Sequence, residues 1–362
     1  MKILTFSDLH IGNKYIDQEV INNLIQDIKI NTDPSQTIIL FCGDLFHRRV
    51  ELDTEEARMA IRLLSEINSL NVPCYIIQGT FSHDYNYINT IERVELNNIN
   101  FIQTLTEKTI ANNSGEEIKC LFIPEEYVED QFEYYKSTVY NKKKVYDIVV
   151  MHGTFTDVLF FNNHMESEVL RKAPRFDSKD FSRHTLTVSG HIHRHQILGK
   201  KKNVVYVGSY SNMNFGHDVS NNIQLFDIDI ANKSFNMETI YNSATHKFLE
   251  LTIDDNNLEE LDKSIISKLK NKSNREHYRV KMLSNDKLGI TLLKELKREG
   301  YIKSLIIESD SNPLIEKDVK ENSDEVNYKE IYHGPINEQI RTFIKEIYDI
   351  NVDLDTINKL IV

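Results

Sequence analysis

Apolar residues fall along this chain in two rhythms. Short runs rich in Val, Ile and Leu occupy residues 2–6, 37–42, 74–77, 118–124, 147–151, 186–189, 204–208 and 223–228, and their length and β-branched content predict strands. Between the early runs, residues 17–30 and 54–70 carry apolar side chains at helical spacing, with Asp53 as the expected cap of the second helix. Strand-like runs thus alternate with helices in the early part and with other strands later. This pattern predicts an α/β fold with a two-layered or sandwiched core.

The rhythm changes after residue 245. A strand at 248–253 is followed by a helix near 258–270, a strand at 277–282, a helix at 287–299 and a strand at 302–308, a compact β-α-β-α-β unit. Residues 309–328 are polar and charged and contain Pro313, so they read as a linker, and 335–348 and 353–361 read as two short amphipathic helices. The expected division is therefore 1–245, 246–310, a linker at 311–334 and a helical segment at 335–362. Two short helices beyond a linker bury little surface alone, which makes them candidates for docking on a partner or on the body of the protein.

With 362 residues, 40% hydrophobic and 27% charged, the chain has ample length for a large core. No apolar run approaches the roughly 18 residues of a spanning helix, and the amino terminus enters a strand with no basic or apolar leader, so a cytoplasmic protein without a membrane role is expected. Cys42, Cys74 and Cys120 show no metal-binding spacing and imply no disulfide framework. The net charge of -12 argues against a generic polyanion-binding surface. Nucleic-acid contact must then be local, near Arg48 and Arg49, residues 142–144, Arg171, Lys172 and Arg175, or residues 200–202. Bound metal would add positive charge that the formula omits.

Five of the strand-like runs end where chemistry-bearing residues begin. They lead into Asp8-Leu9-His10, Gly43-Asp44, Ser82-His83-Asp84, His152-Gly153 and Gly190-His191-Ile192-His193. In open sheets flanked by helices, loops at the carboxyl ends of strands converge on one crevice. Each segment alone is unspecific, because an Asp after a strand often caps a helix and a lone His is usually structural. Their order together points to a two-metal phosphoesterase centre. Carboxylate and imidazole donors without thiolate suit divalent ions, manganese first, with magnesium, iron or zinc as alternatives. Asp44 is expected to bridge the two ions, with Asp8, His10 and His193 on one and His152 and His191 on the other. A histidine held by a neighbouring carboxylate is suited to protonate a leaving alkoxide, which assigns His83 as general acid and Asp84 as its orienting partner. The alternative for Asp84 is a helix cap. Arg48 and His195 are candidate substrate contacts.

These motifs resemble the calcineurin-like metallophosphoesterase superfamily, and more narrowly its double-strand-break repair nucleases of the SbcD and meiotic-recombination type. The narrower likeness rests on Ser7-Asp8-Leu9-His10-Ile11-Gly12, on Gly43-Asp44-Leu45-Phe46-His47, and on Gly190-His191-Ile192-His193 followed by Val207-Gly208-Ser209 and Asn214-Phe215-Gly216. The resemblance implies a metallophosphoesterase β-sandwich flanked by helices over 1–245, a smaller α+β capping domain and C-terminal helices. It also implies a manganese-dependent nuclease acting on DNA, a homodimer, and an SbcC-type coiled-coil ATPase partner docked by residues 335–361. The third motif of that family usually reads Gly-Asn-His-Asp with the Asn as a metal ligand. Here Gly79-Thr80-Phe81-Ser82-His83-Asp84 puts Ser82 at the Asn position when aligned on His83-Asp84, making Ser82 a further candidate ligand. A phosphatase or cyclic-nucleotide phosphodiesterase of the same superfamily, and a weakly catalytic DNA-repair scaffold, are the alternative readings.

Overall fold

A computed structural model of the chain describes residues 1–48, 53–84, 96–125, 137–158, 175–215, 222–255 and 261–307. It is a mixed α/β fold whose larger part is two stacked six-stranded sheets. The first sheet contains β1 (Lys2–Phe6), β2 (Thr37–Phe41), β3 (Cys74–Ile77) and β4 (Ile99–Ile102), with β13 (Asn222–Asp229) and β14 (Ser234–Tyr241). Its order is β14-β13-β1-β2-β3-β4. Strands β1 to β4 run parallel, and β13 and β14 close one edge antiparallel. Helices α1 (Gln18–Asn31) and α2 (Glu55–Ser69) make the crossovers after β1 and β2.

The second sheet also has a parallel centre. It contains β5 (Thr106–Ala111), β6 (Glu117–Ile123), β7 (Ile148–His152), β10 (Leu186–Gly190), β11 (Gln196–Leu198) and β12 (Val204–Tyr206), in the order β11-β12-β10-β7-β6-β5. The central β6, β7, β10 and β12 are parallel, with antiparallel strands at both edges. Two very short strands, β8 (Thr154–Phe155) and β9 (Arg175–Phe176), pair beside it.

Strand periodicity explains the layering, since successive residues point to opposite faces. Ile3, Ile38, Leu40 and Ile77 of the first sheet meet Cys120, Phe122, Val150 and Val188 of the second in the core between them. The alternate residues Leu4, Ile39, Phe41 and Ile76 face outward and pack against Val20, Leu24, Leu63 and Ile67 of the two helices. On the far side of the second sheet, Leu121, Val149, Met151 and Tyr206 gather Phe155, Phe176 and Phe181 into a third cluster. Cys42, Cys74 and Cys120 are buried free thiols. Asp17 caps α1 through the Glu19 and Val20 amides, whereas the cap of α2 is Thr54, which accepts from Ala57 N, and not the Asp53 expected from the sequence.

The chain divides into two compact units, residues 1–251 with 264–279, and residues 252–263 with 280–362. All the candidate site residues belong to the first. In the second, helix α6 (Lys287–Arg298) carries Leu293 and Leu296 on its buried face and packs on β17 (Ser304–Ile307); it follows the shorter α3 (Phe81–Asp84), α4 (Ser178–Phe181) and α5 (Ile266–Lys270). The linker and terminal helices expected at 311–334 and 335–362 lie outside the described residues. Among the described residues, no helix is long and apolar enough to cross a membrane.

Candidate metal centre

The parallel strands of both sheets deliver their carboxyl ends to one place. After β1 the chain continues beside the loop after β2: Asp8 N donates to Gly43 O, His10 N to Asp44 O and Ile11 N to Leu45 O. The backbone there is unusual, because Asp8, His10, Asp44 and His191 all have positive φ, between 48° and 81°. Non-glycine residues rarely adopt this left-handed region, and such strain persists where surrounding structure enforces it, typically at functional sites. Close packing adds to the constraint: a β-carbon on Gly79 would overlap Asp44 N and Oδ1, and one on Gly190 would overlap Ser7 Oγ and Cys42 O.

Two clusters of donor atoms result, and they share Asp44. In the first, His10 Nε2 stands 2.9 Å from His193 Nε2 and 3.8 Å from Asp44 Oδ2, and His193 Nε2 is 3.9 Å from Asp8 Oδ1. In the second, His152 Nε2 lies 3.4 Å from the same Asp44 Oδ2 and 3.5 Å from Glu125 Oε2, which is 3.3 Å from His191 Nδ1. Donors bonded at about 2.1 Å to a common ion are separated by about 3.0 Å at right angles and about 3.4 Å in a tetrahedron. The separations of 2.9 to 3.5 Å match such spacing, and the 3.8 and 3.9 Å separations in the first cluster are a few tenths of an ångström wider. Among the described residues, buried His10 Nδ1, Glu125 Oε1 and His191 Nε2 have no hydrogen-bond partner, as expected of groups arranged for an ion more than for one another. The residues therefore fit two divalent ions.

Hydrogen bonds behind the donors fix their direction. His152 Nδ1 lies 2.7 Å from Cys42 O, a donor contact that leaves Nε2 as the ligand atom. Asp44 Oδ1 accepts from Thr80 N at 2.6 Å, leaving Oδ2 toward both clusters. Asp8 accepts from His191 N, tying the first loop to the last. Burial opposes the charge on His152, yet Asp44, Asp8 and Glu125 raise its pKa well above the usual histidine range. Burial, with His193 next, pushes His10 well below it. Burial also pushes Asp8 up to about 6. For Asp44, burial is outweighed by His152 and the other imidazoles, which hold the carboxyl well below the usual range.

His83 lies at the edge of the first cluster, its ring centroid 4.9 Å from that of His10. Its Nδ1 donates to His47 O, so Nε2 is the nitrogen left to exchange a proton. The sequence expectation for Asp84 is corrected here. Its carboxylate accepts from the amides of Asp44 and Gly79 through Oδ2 and of Leu45 and Phe46 through Oδ1. The left-handed turn at Asp44 aims successive N–H groups at one point, and Asp84 fills that nest. It thus supports the bridging residue and does not orient His83.

The proposed ligand role of Ser82 is also corrected: its side chain is exposed on α3. The hydroxyl that reaches the centre is Thr80 Oγ1, at 3.2 Å from Asp44 Oδ2, 3.2 Å from Glu125 Oε2 and 3.4 Å from His152 Nε2. Aligning the third segment on Gly79, and placing two inserted residues after Thr80, would have found it. His195 Nδ1 lies 2.8 Å from Tyr206 O and 3.4 Å from Gln224 Nε2, so its described partners are outside both clusters. Arg48 is exposed.

Residues 1–195 match the family described as calcineurin-like phosphoesterase. The chain belongs to that family. No curated protein matches it. Solved structures to which this phosphoesterase is similar include a cold-active protein tyrosine phosphatase at 12% identity, covering 67% of this chain and 79% of that one with a TM-score of 0.31. Another is the cold-active protein-tyrosine phosphatase of a psychrophilic Shewanella species, at 13% identity, 66% and 80% coverage and a TM-score of 0.30. Membership implies metal-dependent hydrolysis of phosphoesters, and the paired clusters of this phosphoesterase provide for it.

Proposed function

We propose that this chain is a metal-dependent DNA nuclease subunit of the SbcD type, hydrolysing phosphodiesters in repair, recombination or replication. The observation that carries the hydrolytic part is the sharing of Asp44 Oδ2 by two donor clusters, with His83 beside one of them. Support for DNA as substrate comes from the motif set Ser7 to Gly12, Gly43 to His47 and Gly190 to His193, and from the chain's continuation beyond its catalytic part. Manganese is the proposed ion. The proposed partners are an SbcC-type coiled-coil ATPase, engaged by residues 335–361, and a second copy of the chain. An ATPase that supplies DNA-binding surface would reconcile the net charge of -12 with a polyanionic substrate.

Asp8, His10, His193 and Asp44 would hold one ion, with Asp44, His152 and His191 holding the other. Bound there, the ions supply Lewis acidity to the phosphoryl oxygens and lower the pKa of an attacking water. The protein's own groups do the rest. Asp44, fixed by Thr80 N on one oxygen and by the Asp84-bound turn behind it, sets the spacing between the two clusters. Gly43 and Gly79 let the loops approach closely enough for that spacing. His83 delivers a proton from Nε2 to the leaving oxygen, its ring held by the His47 carbonyl.

The test is a nuclease assay on linear duplex and single-stranded circular DNA with manganese or magnesium, with and without a coiled-coil ATPase. Manganese-dependent degradation that is lost in Asp44→Ala and strongly reduced in His83→Ala is the expected result. Rapid hydrolysis of small phosphomonoesters with no action on DNA would overturn the nuclease reading and leave the phosphoesterase one standing.

A further inference from the structure

Glu125 lies in none of the five segments that single out the centre in the sequence. It follows β6 of the second sheet, and its side chain is wholly buried. Glu125 N donates to Gln78 O just after β3, which pins the end of one sheet to the end of the other at the second cluster. From there Oε2 reaches His191 Nδ1 at 3.3 Å, His152 Nε2 at 3.5 Å and Thr80 Oγ1 at 3.2 Å. Among the described residues its other oxygen, Oε1, has no hydrogen-bond partner, and neither does the buried Nε2 of His191.

A buried carboxylate is costly unless charge and hydrogen bonds compensate it. The ion-pair partners of Glu125 among the described residues are His152 and His191, each also placed as a donor to the second ion. Among its described residues the third segment brings this cluster a threonine hydroxyl, already shared among Asp44, Glu125 and His152, and no side-chain amide or carboxylate. The strong donor comes instead from the loop after β6.

We propose that Glu125 is an anionic ligand of the second metal ion, completing a set of Asp44, His152 and His191, with Thr80 bonded across it. This rests on the two-ion reading of the centre and is independent of whether DNA is the substrate. The centre then carries three carboxylates, Asp8, Asp44 and Glu125. An additional anionic oxygen donor strengthens binding of a hard divalent ion and lowers the net positive charge at the second position.

The test is calorimetric titration of the full chain with manganese, comparing wild type, Glu125→Gln, Glu125→Ala and His10→Ala. Glu125→Gln keeps the side-chain volume and removes the charge, and thermal melting without metal verifies that each variant is folded. Wild type is expected to take up two ions. Both Glu125 variants are expected to keep one and to bind the other about 100-fold more weakly, a loss of the size that altered metal-site partners produce. His10→Ala should lose the opposite ion and keep the one held with Glu125. Two ions bound with wild-type affinities in both Glu125 variants would overturn the proposal while leaving the two-ion centre intact. A wild-type chain that takes up no manganese would overturn the two-ion reading, and the Glu125 proposal with it.

Discussion

The two clusters that meet at Asp44 are assembled in different ways. Asp8 and His10 come from a single loop after β1, and His193 from the loop after β10, so two segments join Asp44 to make the first cluster. The second draws His152 from the end of β7, His191 from the loop after β10, Glu125 from the end of β6 and Thr80 from the loop after β3. It needs four chain segments besides Asp44, and most of its atoms are fully buried. In the first cluster the His193 side chain is 25% exposed and half-buried His83 lies alongside, whereas in the second His191 is 8% exposed and His152 and Glu125 are wholly buried. The second position is thus the more sheltered, and the first, beside His83, the more open.

The largest expected effect comes from removing what the clusters share. Asp44→Ala should abolish both sites in a manganese titration and lower phosphodiester hydrolysis by at least about 10³-fold, since metal contributions to the barrier are several kcal/mol. A variant that still held one ion tightly would break the picture of a common carboxylate.

His83→Ala tests the open side alone. Hydrolysis of DNA should fall by about 10² to 10⁴-fold, the range for general acid catalysis, with metal uptake unchanged. The deficit should shrink markedly for a nitrophenyl phosphodiester, whose leaving group departs without a proton. Equal deficits on both substrates would remove His83 from the proton-transfer role.

A smaller effect separates the clusters by pH. In the metal-free protein His152 binds its proton more tightly than an ordinary histidine, because of Asp44, Asp8 and Glu125, although burial opposes this. An ion taking its place must expel that proton, so affinity at the second position should rise with pH and fall in acid. His10, held well below the usual range by burial and by His193, is already neutral, so ligation through it releases no proton. Titrations in buffers of different ionisation enthalpy should show proton release for the ion that Glu125 and His152 hold. Above about pH 7, where Asp8, pushed up to about 6 by burial, is also ionised, release associated instead with the His10 position would reverse the assignment.

The smallest effect is expected of Thr80→Ala. The hydroxyl bridges Asp44, Glu125 and His152, while the amide that holds Asp44 Oδ1 is backbone and survives the change. Loss of one neutral hydrogen-bonding group is worth about 1 kcal/mol, or roughly a fivefold weaker second ion. An effect as large as that of Glu125→Gln would make Thr80 a ligand in its own right.

This asymmetry also governs what could be read without coordinates. The first cluster was legible because Asp8 and His10 sit in one short motif directly after a strand, and the strand-end rule brings His193 to them. Continuous apolar runs such as Ile38 to Phe41, alternating with helical stretches early and with other strands later, likewise make the sandwiched core legible. Glu125 obeys the same strand-end rule, since Ile118 to Ile123 is an apolar run immediately before it. A Pro-Glu-Glu sequence nevertheless looks like an ordinary polar exit from a strand, and only the packing of Gln78 against it reveals its direction. Asp84 was misjudged for a related reason. Three of the four amides it accepts are 38 to 40 residues away and converge only because Asp44 is left-handed. Strand β14, whose residues Ser234 to Tyr241 are exposed or half-buried, carried too weak an apolar pattern to be predicted.

The central claim is that one carboxylate oxygen serves both positions, and electron paramagnetic resonance of the manganese-loaded chain tests it most directly. With the first equivalent, the resolved hyperfine multiplet of an isolated ion should appear. With the second, that signal should collapse into the broad spectrum of an exchange-coupled pair, as expected for ions about 3.5 to 4 Å apart across a shared carboxylate. Two bound equivalents that simply doubled the isolated-ion signal would contradict it.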